Sequence, residues 1–481
     1  MTRPILKQTY ALGIISFLSG FALMAYELVA ARLLAPTIGS SIYVWTSVIG
    51  VIIAALSLGY WLGGKLADAR QKQMDVVILA FLSALFVVIT MLTYTPFLGW
   101  VVETFNDVRL QGVFASLMLF APASFLLGMK SPYLAKLNIK TLETAGESVA
   151  NLSALNSIGG ILGTFITGFF FFGYLGSNET LIIVVVILLA SSWLLIPKQF
   201  VVKRIIVCAV LILLSLLPTP TAANSVARID TPSAHYDVSK FEVYDRPING
   251  LTTGPGGIQS AVYTDTEESE LVFWYTQYAG AVLEHYAPER ILILGGGAFT
   301  LPAYLADALP DSTIDVVEID PELENISKEY FNYEDRNNVN LIFSDARSFV
   351  NTADQKYDAI FVDVYGDAYV PFSVLTAEYG ERINQLLKPD GMVVINAIVG
   401  TSEQCQPLFD AVDTTYRPHF PYALWQTESG LPLSRGNYIL IYTKQPTQID
   451  TMKRLPVKSD GKQYTDNFMP AERLNYECKT T

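Results

Sequence analysis

Long apolar segments separated by short polar connections make up the first half of the chain. Crossing the roughly 30 Å of hydrocarbon in a lipid bilayer takes about 20 helical residues. Seven segments approach or exceed this length, at residues 10–34, 43–64, 75–99, 111–129, 149–173, 180–197 and 204–218. The pattern predicts a multi-span α-helical membrane domain of about seven helices, with the lipid bilayer as its partner.

Lysine and arginine are concentrated in alternate connections of this region. They occur at residues 3–7, 65–72, 130–140 and 198–204, whereas the opposite connections carry Arg109 alone. Positive charge in short loops marks the cytoplasmic side. We therefore expect a multi-pass protein of the cell (inner) membrane with a cytoplasmic N-terminus. Seven crossings would leave the following domain on the outer side.

Paired glycines recur on two of the apolar segments. Gly59 and Gly63 lie on the second, and Gly159 and Gly163 on the fifth. A four-residue spacing of small side chains lets two helix backbones approach closely. We interpret these glycines as helix-packing positions.

The pattern changes beyond a short linker at residues 218–225, which is rich in proline and small polar residues. Residues 241–244 and 259–263 alternate between apolar and polar side chains as strands do, with turn-forming residues at 249–257 between them. They predict a small β subdomain. Residues 270–286 then predict a helix.

An apolar strand at residues 290–294 runs directly into Gly295–Gly297. Continuous apolar strands are typical of parallel sheets that are covered on both faces. Further strands are predicted at residues 313–319, 340–343, 357–362 and 391–396. The pattern predicts an α/β Rossmann-like (methyltransferase-type) domain that follows the small N-terminal β subdomain.

These segments divide the chain into four predicted parts. Residues 1–221 form the transmembrane domain and residues 222–265 the small β subdomain. Residues 266–446 form the Rossmann-like domain, and residues 447–481 form a C-terminal tail.

Charge separates the two halves further. Up to Thr221 the chain has 13 basic and 8 acidic residues, and after it 19 basic and 37 acidic residues. An acidic domain repels the phosphate backbone, which excludes nucleic acid as a partner, and attracts cationic substrates. Three scattered histidines and three cysteines without a paired motif give no metal site.

Acidic residues stand at or just beyond the ends of three predicted strands: Glu318, Asp345 and Asp363. Ligands of open α/β sheets bind across the carboxyl ends of the strands. Glu318 follows the glycines by about 20 residues, which is the spacing of a ribose-binding acid. The alternative interpretation is that these acids cap helices and occupy solvated turns.

The order and spacing of these motifs resemble the spermidine synthase (polyamine aminopropyltransferase) family, and the whole chain resembles its membrane-fused members. The matching residues are Gln259, Tyr275, Gly295–Gly297, Val317–Asp320, Asp345-Ala346, Tyr357–Asp363, Leu375-Thr376 and Tyr379. The resemblance implies a transferase of polyamine biosynthesis. It would move an aminopropyl group from decarboxylated S-adenosylmethionine to an amine acceptor such as putrescine.

The resemblance also assigns roles to individual residues. Gly295, Gly296, Gly297 and Glu318 would hold the nucleoside of decarboxylated S-adenosylmethionine, which is a co-substrate rather than a tightly bound cofactor. Asp345 would accept from the adenine amino group, and Gln259 would contact the aminopropyl side of the donor. Asp363 would be the catalytic base. The acceptor would meet Tyr236, Tyr275 and Asp367, and the resemblance implies a homodimer.

Motifs on the acceptor side differ from the family's pattern. Ala298 stands where an acid usually follows the glycines, and the family's Asp-Ser-Ser-Asp-Pro loop corresponds here to Asp363-Val364-Tyr365-Gly366-Asp367. The sequence therefore leaves open an acceptor other than putrescine. A transporter, or a different membrane-surface transferase, whose Rossmann-like domain binds a nucleoside or polyamine is the alternative function. Methyl transfer is a subordinate one.

The location of the second domain bears on its cysteines. An outer location would permit a disulfide between Cys405 and Cys478, because disulfides persist in oxidising compartments. Two buried free thiols are the alternative, and we favour them on the sequence alone.

Overall fold

The computed structural model describes residues 2–139, 141, 143–195, 201–217, 224–255, 257–266, 268–365, 370–428, 435–456 and 461–478. The chain divides into two compact units. The first comprises residues 1–223 and 229–235, and the second comprises residues 224–228 and 236–481.

Helices formed by the apolar segments build the first unit. They are α1 (Thr2–Ile38), α2 (Ile42–Arg70), α3 (Gln73–Thr104), α4 (Val108–Leu119), α5 (Ala121–Asn138), α6 (Ala145–Ile166), α7 (Phe172–Tyr174), α8 (Gly176–Trp193) and α9 (Val201–Ser215). A π-helical turn at Thr167–Phe171 joins α6 to α7. By length and composition, five stretches of the described chain could each cross a membrane: residues 8–38, 42–70, 73–104, 145–174 and 176–193.

Two of the seven predicted crossings are not single long helices in the structure. The fourth predicted segment is broken into α4 and α5, which are bent by 54°. The bend falls where Pro122 opens α5, because proline has no backbone amide to continue the preceding helix. Counted as one span, this pair brings the total to six. The seventh predicted segment forms α9, whose 15 residues are shorter than the roughly 20 that a crossing needs.

Glycines bring helices of the first unit into direct backbone contact. A Cβ atom on Gly59 would lie 2.2 Å from the carbonyl oxygen of Phe125 on α5, and one on Gly159 would lie 2.0 Å from that of Phe17 on α1. The packing role predicted for the paired glycines is confirmed.

The small β subdomain is a four-stranded antiparallel arrangement in the order β1-β2-β3-β4. Its strands are β1 (Ser225–Asp230), β2 (His235–Val243), β3 (Arg246–Thr252) and β4 (Ser260–Tyr263). The prediction of a turn across residues 249–257 was wrong in part, because residues 249–251 pair with both neighbouring strands and Thr252 pairs with β2. The tight turn lies instead at Tyr244-Asp245.

The α/β part of the second unit contains one mixed eight-stranded sheet. Its strands are β5 (Arg290–Leu294), β6 (Thr313–Glu318), β7 (Val339–Phe343), β8 (Tyr357–Val362), β9 (Leu387–Val399), β10 (Tyr422–Thr427), β11 (Gly436–Thr443) and β12 (Lys453–Arg454). Its helices are α10 (Trp274–Tyr286), α11 (Thr300–Ala308), α12 (Glu322–Tyr330), α13 (Ala346–Thr352), α14 (Ala377–Leu386), α15 (Gln406–Tyr416) and α16 (Ala471–Glu477), with a short 3₁₀ helix at Phe372–Val374.

Parallel pairing in the centre of this sheet places the strand ends at one edge. The strand order is β12-β10-β11-β9-β8-β5-β6-β7. Strands β5 to β9 run parallel to one another, and β11 and β10 follow antiparallel. The predicted α/β domain is confirmed. The start of β11 and the end of β10 therefore lie at the same edge as the carboxyl ends of the parallel strands.

A disulfide joins Cys405, at the start of α15, to Cys478, at the end of α16. Our preference for two free thiols was wrong, because the tail folds back onto α15 and brings the two Cα atoms to 4.2 Å. The bridge ties the C-terminal tail to the α/β core across 73 residues.

Candidate active site

The glycine loop after β5 passes very close to the end of β8. Gly295 has φ +93°, and a Cβ atom there would lie 2.2 Å from the carbonyl oxygen of Asp363. A residue with a side chain would meet both a backbone clash and an unfavourable left-handed conformation. The chain therefore needs glycine at this position to bring the loop beside Asp363.

Glu318 is buried beneath the same loop. One carboxylate oxygen accepts from the amides of Gly296 and Gly297, at 2.9 and 3.2 Å. The other accepts from the amides of Ile319 and Asp320, at 2.7 and 3.2 Å. Burial raises the pKa of Glu318, and the four amides oppose this effect. The structure thus joins two predicted site elements, the glycines and Glu318, directly.

Ser260 completes the loop and was missed by the sequence analysis. Its hydroxyl accepts from the amide of Ala298 at 3.1 Å. A Cβ atom on Gly297 would lie 2.5 Å from the same oxygen. Strand β4 therefore supports the loop from one side. The available signal was its position next to Gln259, which had been assigned to the site.

Asp363 lies at the end of β8 and is partly buried. One oxygen accepts a 2.8 Å hydrogen bond from the side-chain amide of Asn396 on β9. Burial raises the pKa of Asp363 to about 6, and the Asn396 bond acts in the opposite direction. A carboxylate with this pKa is poised to accept a proton near neutral pH. Asn396 was missed as a site residue, although it ends a predicted strand at the ligand-binding edge.

Tyr275 is hydrogen-bonded to the hairpin and lies within the electrostatic influence of Asp363. Its hydroxyl donates to the backbone carbonyl of Gln259 at 3.1 Å. Burial raises the pKa of Tyr275, and the nearby carboxylate of Asp363 adds to the increase. The side chain of Gln259 donates to Thr253 at 2.5 Å. The predicted donor-side Gln259 and acceptor-side Tyr275 thus lie next to one another.

Tyr236, which was predicted on the acceptor side, lies beside acids of the nucleoside side. Its hydroxyl hydrogen-bonds to Asp320 beside Glu318, and burial with these two carboxylates raises its pKa. The phenol therefore lies with the nucleoside-side acids.

Asp345 and Asp367 are the two remaining acids that the sequence assigned to the site. Asp345 is exposed and caps α13, where its carboxylate accepts from the amide of Ser348 at 2.8 Å. This is the helix-cap geometry that the alternative interpretation predicted. The second carboxylate oxygen of Asp345 can accept further hydrogen bonds. Asp367 lies outside the described residues, and its role stays a prediction.

A cavity of about 370 Å³ opens beside Tyr275. Its walls come from the β2–β3 turn, the start of α10 and the facing ends of β10 and β11. The side chains of interest in its lining are Tyr244, Phe273, Trp274, Tyr275, Glu428 and Arg435. The lining therefore combines an aromatic wall, which includes Tyr275, with the charged side chains of Glu428 and Arg435.

The match to a known protein family lies within the second unit of the chain. Residues 278–446 match the model of the spermine/spermidine synthase domain. A polyamine aminopropyltransferase of Vibrio vulnificus is 32% identical over 214 residues, which cover 44% of this chain and 70% of the relative. The chain belongs to the polyamine aminopropyltransferase (spermidine synthase) family and is a transferase, as the motifs predicted.

Two further proteins are similar to parts of this chain. A probable spermidine synthase from Corynebacterium glutamicum superposes with a TM-score of 0.40 at 22% identity, covering 48% of this chain and 82% of that one. An N-terminal histidine N-methyltransferase of Emericella nidulans is 33% identical over 141 residues, which cover 28% of this chain and 24% of that protein.

Proposed function

We propose that the chain is a membrane-bound aminopropyltransferase that uses decarboxylated S-adenosylmethionine to alkylate an amine. The observation that carries the proposal is Asp363, a partly buried carboxylate with its pKa raised to about 6, held by Asn396 beside the glycine loop. A protonated amine has no lone pair for attack, so the acceptor needs a positioned base.

The reaction follows from these positions. Asp363 holds the acceptor ammonium and removes one proton, and the freed nitrogen lone pair attacks the methylene carbon bound to the donor sulfonium. The new C–N bond forms as the C–S bond breaks, and the bonding electrons leave with sulfur as neutral methylthioadenosine. The proton is carried by Asp363 until solvent accepts it.

The glycine loop and the nearby acids would bind the nucleoside side of the donor. Glu318 would bind the ribose hydroxyls, Asp345 the adenine amino group, and Gln259 the aminopropyl side. Because four backbone amides already fill the acceptor positions of Glu318, we expect the glycine loop to shift when ribose hydroxyls bind. The homodimer and the role of Asp367 stay predictions.

Methylthioadenosine release tests the reaction. The full-length protein in detergent is supplied with decarboxylated S-adenosylmethionine and a panel of amines, and methylthioadenosine is measured by chromatography. We expect amine-dependent release that Asp363→Asn abolishes. Asp354→Asn, the same change at an exposed position, is the matched control and should leave release unchanged. Full turnover by the Asp363→Asn variant contradicts the proposal.

The membrane location has its own support. Large apolar side chains are exposed on many helices of the first unit, among them Ile53, Ile161, Phe169, Ile206 and Leu213. Extensive exposed apolar surface requires a partner, and lipid fits long helices of this composition. We propose that the first unit is embedded in the cell membrane with its N-terminus in the cytoplasm.

We further propose that the second unit lies on the outer side. An outer location requires α9 to cross the membrane although it has only 15 residues. Its first turn carries Lys203-Arg204, and its exposed Ile205, Ile206 and Val210 suit a short, lipid-facing span in a locally thinned bilayer. The Cys405–Cys478 bridge also suits an oxidising compartment. This location requires that donor and acceptor reach the domain outside the cytoplasm.

Labelling an introduced cysteine tests the side of the membrane. Glu289, whose side chain is 90% exposed, is changed to cysteine in a Cys208→Ser background, and intact cells receive a membrane-impermeant maleimide. Labelling of intact cells supports the outer location. Labelling only after lysis contradicts the outer location and indicates six crossings. That result leaves the proposed transfer reaction unaffected. The Cys208→Ser parent reports background labelling.

A further inference from the structure

The segment that follows strand β8 is held to β9 by a side chain. Pairing between the two strands ends at Val362 and Ile395. Beyond this point, the hydroxyl of Tyr365 donates to the backbone carbonyl of Asn396 and accepts from the backbone amide of Ile398 at 2.9 Å. One phenol therefore binds two backbone groups of β9.

This contact takes the place of one residue of a parallel strand. In a parallel ladder, each residue that faces the neighbouring strand binds a carbonyl and an amide two positions apart on that strand. Asn396 and Ile398 have this spacing, and β11 pairs with β9 along its other edge. The Tyr365 hydroxyl supplies both a donor and an acceptor. The chain can therefore leave the sheet after Val362 while these backbone groups of β9 stay paired.

Asn396 connects this anchor to the proposed base. Its backbone carbonyl accepts from Tyr365, and its side-chain amide donates to Asp363 at 2.8 Å. Asn396 is 3% exposed, so its amide has little access to water as an alternative partner. On the opposite side of β8, the amide of Asp363 donates to the carbonyl of Leu294 on β5 at 2.8 Å. The position of Asp363 therefore depends on contacts with both neighbouring strands.

We propose that Tyr365 is a positioning residue for the transfer reaction: its hydroxyl fixes the backbone at Asn396 and thereby keeps the Asn396 amide on the carboxylate of Asp363. This inference rests on the proposed function, in which Asp363 is the base. Tyr365 acts through Asn396 rather than on the reacting atoms. The family's Asp-Ser-Ser-Asp-Pro loop contains no tyrosine, so the anchor is part of this chain's departure from that pattern.

Titratable groups near Asp363 come from α10 and from the loop itself. Burial raises the pKa of Tyr275 and of Tyr365, and the carboxylate of Asp363 raises both further. The positive charge of Arg435 opposes this effect at Tyr365. Both phenols therefore stay protonated around neutral pH, where Asp363 ionises. A change of the pH profile in this range reports on Asp363.

The kinetics of Tyr365→Phe test the proposal, because this change keeps the ring and removes only the hydroxyl. We expect kcat/KM for methylthioadenosine release to fall about tenfold, since a misplaced base makes fewer productive encounters. The acidic limb of the pH profile should move up by up to about one pH unit, because the Asn396 bond to the ionised carboxylate weakens. The affinity for methylthioadenosine should not change.

A double variant tests whether Tyr365 acts through Asn396. Tyr365→Phe combined with Asn396→Leu should have the same acidic limb as Asn396→Leu alone, because the second change removes the group that the first one loosens. Additive shifts in the double variant overturn the proposal. An unchanged limb in Tyr365→Phe also overturns it.

Tyr357→Phe is the matched control for a general effect on β8. It removes a hydroxyl at the other end of the same strand, where Tyr357 donates to Asp315 at 3.0 Å. The control should lower the unfolding temperature and leave the acidic limb in place. A limb that moves as far in Tyr357→Phe as in Tyr365→Phe would overturn a specific role of Tyr365.

Thermal unfolding separates this inference from the proposed function, because it needs no turnover. Asp363→Asn is compared in the wild-type and Tyr365→Phe backgrounds at pH 7. A higher pKa of Asp363 in the Tyr365→Phe background makes the stabilisation by Asp363→Asn larger. Equal stabilisation in both backgrounds overturns the role of Tyr365, even if methylthioadenosine is released. A larger stabilisation without any release supports the anchoring of Asp363 and contradicts aminopropyl transfer.

Discussion

The side-chain amide of Asn396 donates a 2.8 Å hydrogen bond to the carboxylate of Asp363 across neighbouring parallel strands. The bond favours the ionised carboxylate, whereas burial favours the protonated form and raises the pKa of Asp363 to about 6. Asn396 is therefore a positioning residue that keeps the proposed base ionised near neutral pH.

This relationship predicts the pH dependence of the transfer. Asp363 must be deprotonated to accept a proton, so kcat/KM should fall as the pH drops through about 6. In Asn396→Leu this acidic limb should move up by about one pH unit, which corresponds to about 1.4 kcal/mol. The measurement is kcat/KM from pH 5 to 8. An unchanged limb in the variant contradicts the role of Asn396.

The same carboxylate should reduce stability at neutral pH. Its pKa is raised from 3.8 to about 6 in the folded protein, so the folded state binds the proton more tightly than the unfolded state. Its contribution to stability is therefore lost as the pH rises from about 4 to 6. Asp363→Asn should stabilise the second unit by up to about 3 kcal/mol at pH 7 and by little at pH 4, measured by thermal unfolding. Equal effects at both pH values would contradict this linkage.

Substitution of Glu318 should weaken the binding of the donor nucleoside. Glu318→Gln places an NH₂ group against backbone amides that are themselves donors, so the bonds of Gly296 and Gly297 or of Ile319 and Asp320 are broken. We expect methylthioadenosine to bind at least about tenfold more weakly, since hydrogen bonds to a charged group contribute about 1.5–3 kcal/mol. Calorimetry gives the affinity.

Hydrogen exchange supplies the structural readout for this change. Exchange at Gly296 and Gly297, or at Ile319 and Asp320, should become faster in Glu318→Gln, because glutamine keeps only one of the two acceptor oxygens. Glu322→Gln, at an exposed position on α12, is the matched control. Unchanged exchange and affinity in Glu318→Gln would show that Glu318 does not organise the loop.

Replacing a buried lysine of the first unit should increase the stability of the protein. Lys130 on α5 is completely buried, and its ammonium group has no hydrogen-bond partner among the described residues. An unsatisfied buried polar group costs about 1–3 kcal/mol and a charged one more. Lys130→Met should therefore raise the unfolding temperature of the full-length protein in detergent.

Lys136→Met is the control for this prediction. Lys136 is only partly buried and pairs with Asp68 at 2.6 Å, and a surface ion pair contributes about 0–1 kcal/mol. The control should change the unfolding temperature little. A lower unfolding temperature in Lys130→Met would show that a bound ligand or lipid satisfies the lysine.

Local patterns were sufficient for the central elements of the fold. The run of apolar residues at 290–294 predicted a buried strand, and Gly295–Gly297 predicted the tight turn after it. Both predictions rest on short-range causes, namely side-chain burial in a parallel strand and the freedom of glycine at positive φ. The link between this loop and Glu318 followed from the regular length of a strand-helix-strand unit.

Hydropathy patterns were not sufficient for two segments of the first unit. Segments 111–129 and 204–218 are as apolar as the others, and hydropathy alone counted each as a crossing. Pro122 breaks the first, and helix α9 ends after 15 residues. Helix length and continuity, in addition to apolar composition, therefore bear on whether a segment spans a bilayer.

The sequence alone determined the two-unit organisation, the family and the acids along the strand edge, because each depends on local composition or on spacing within one repeat. The tertiary structure alone brought Asn396 to Asp363, Ser260 to the glycine loop, and Tyr244 to Glu428. The last pair is separated by 184 residues. Such pairs depend on sheet order, register and turn geometry, which place distant residues together without any periodic signal in the chain.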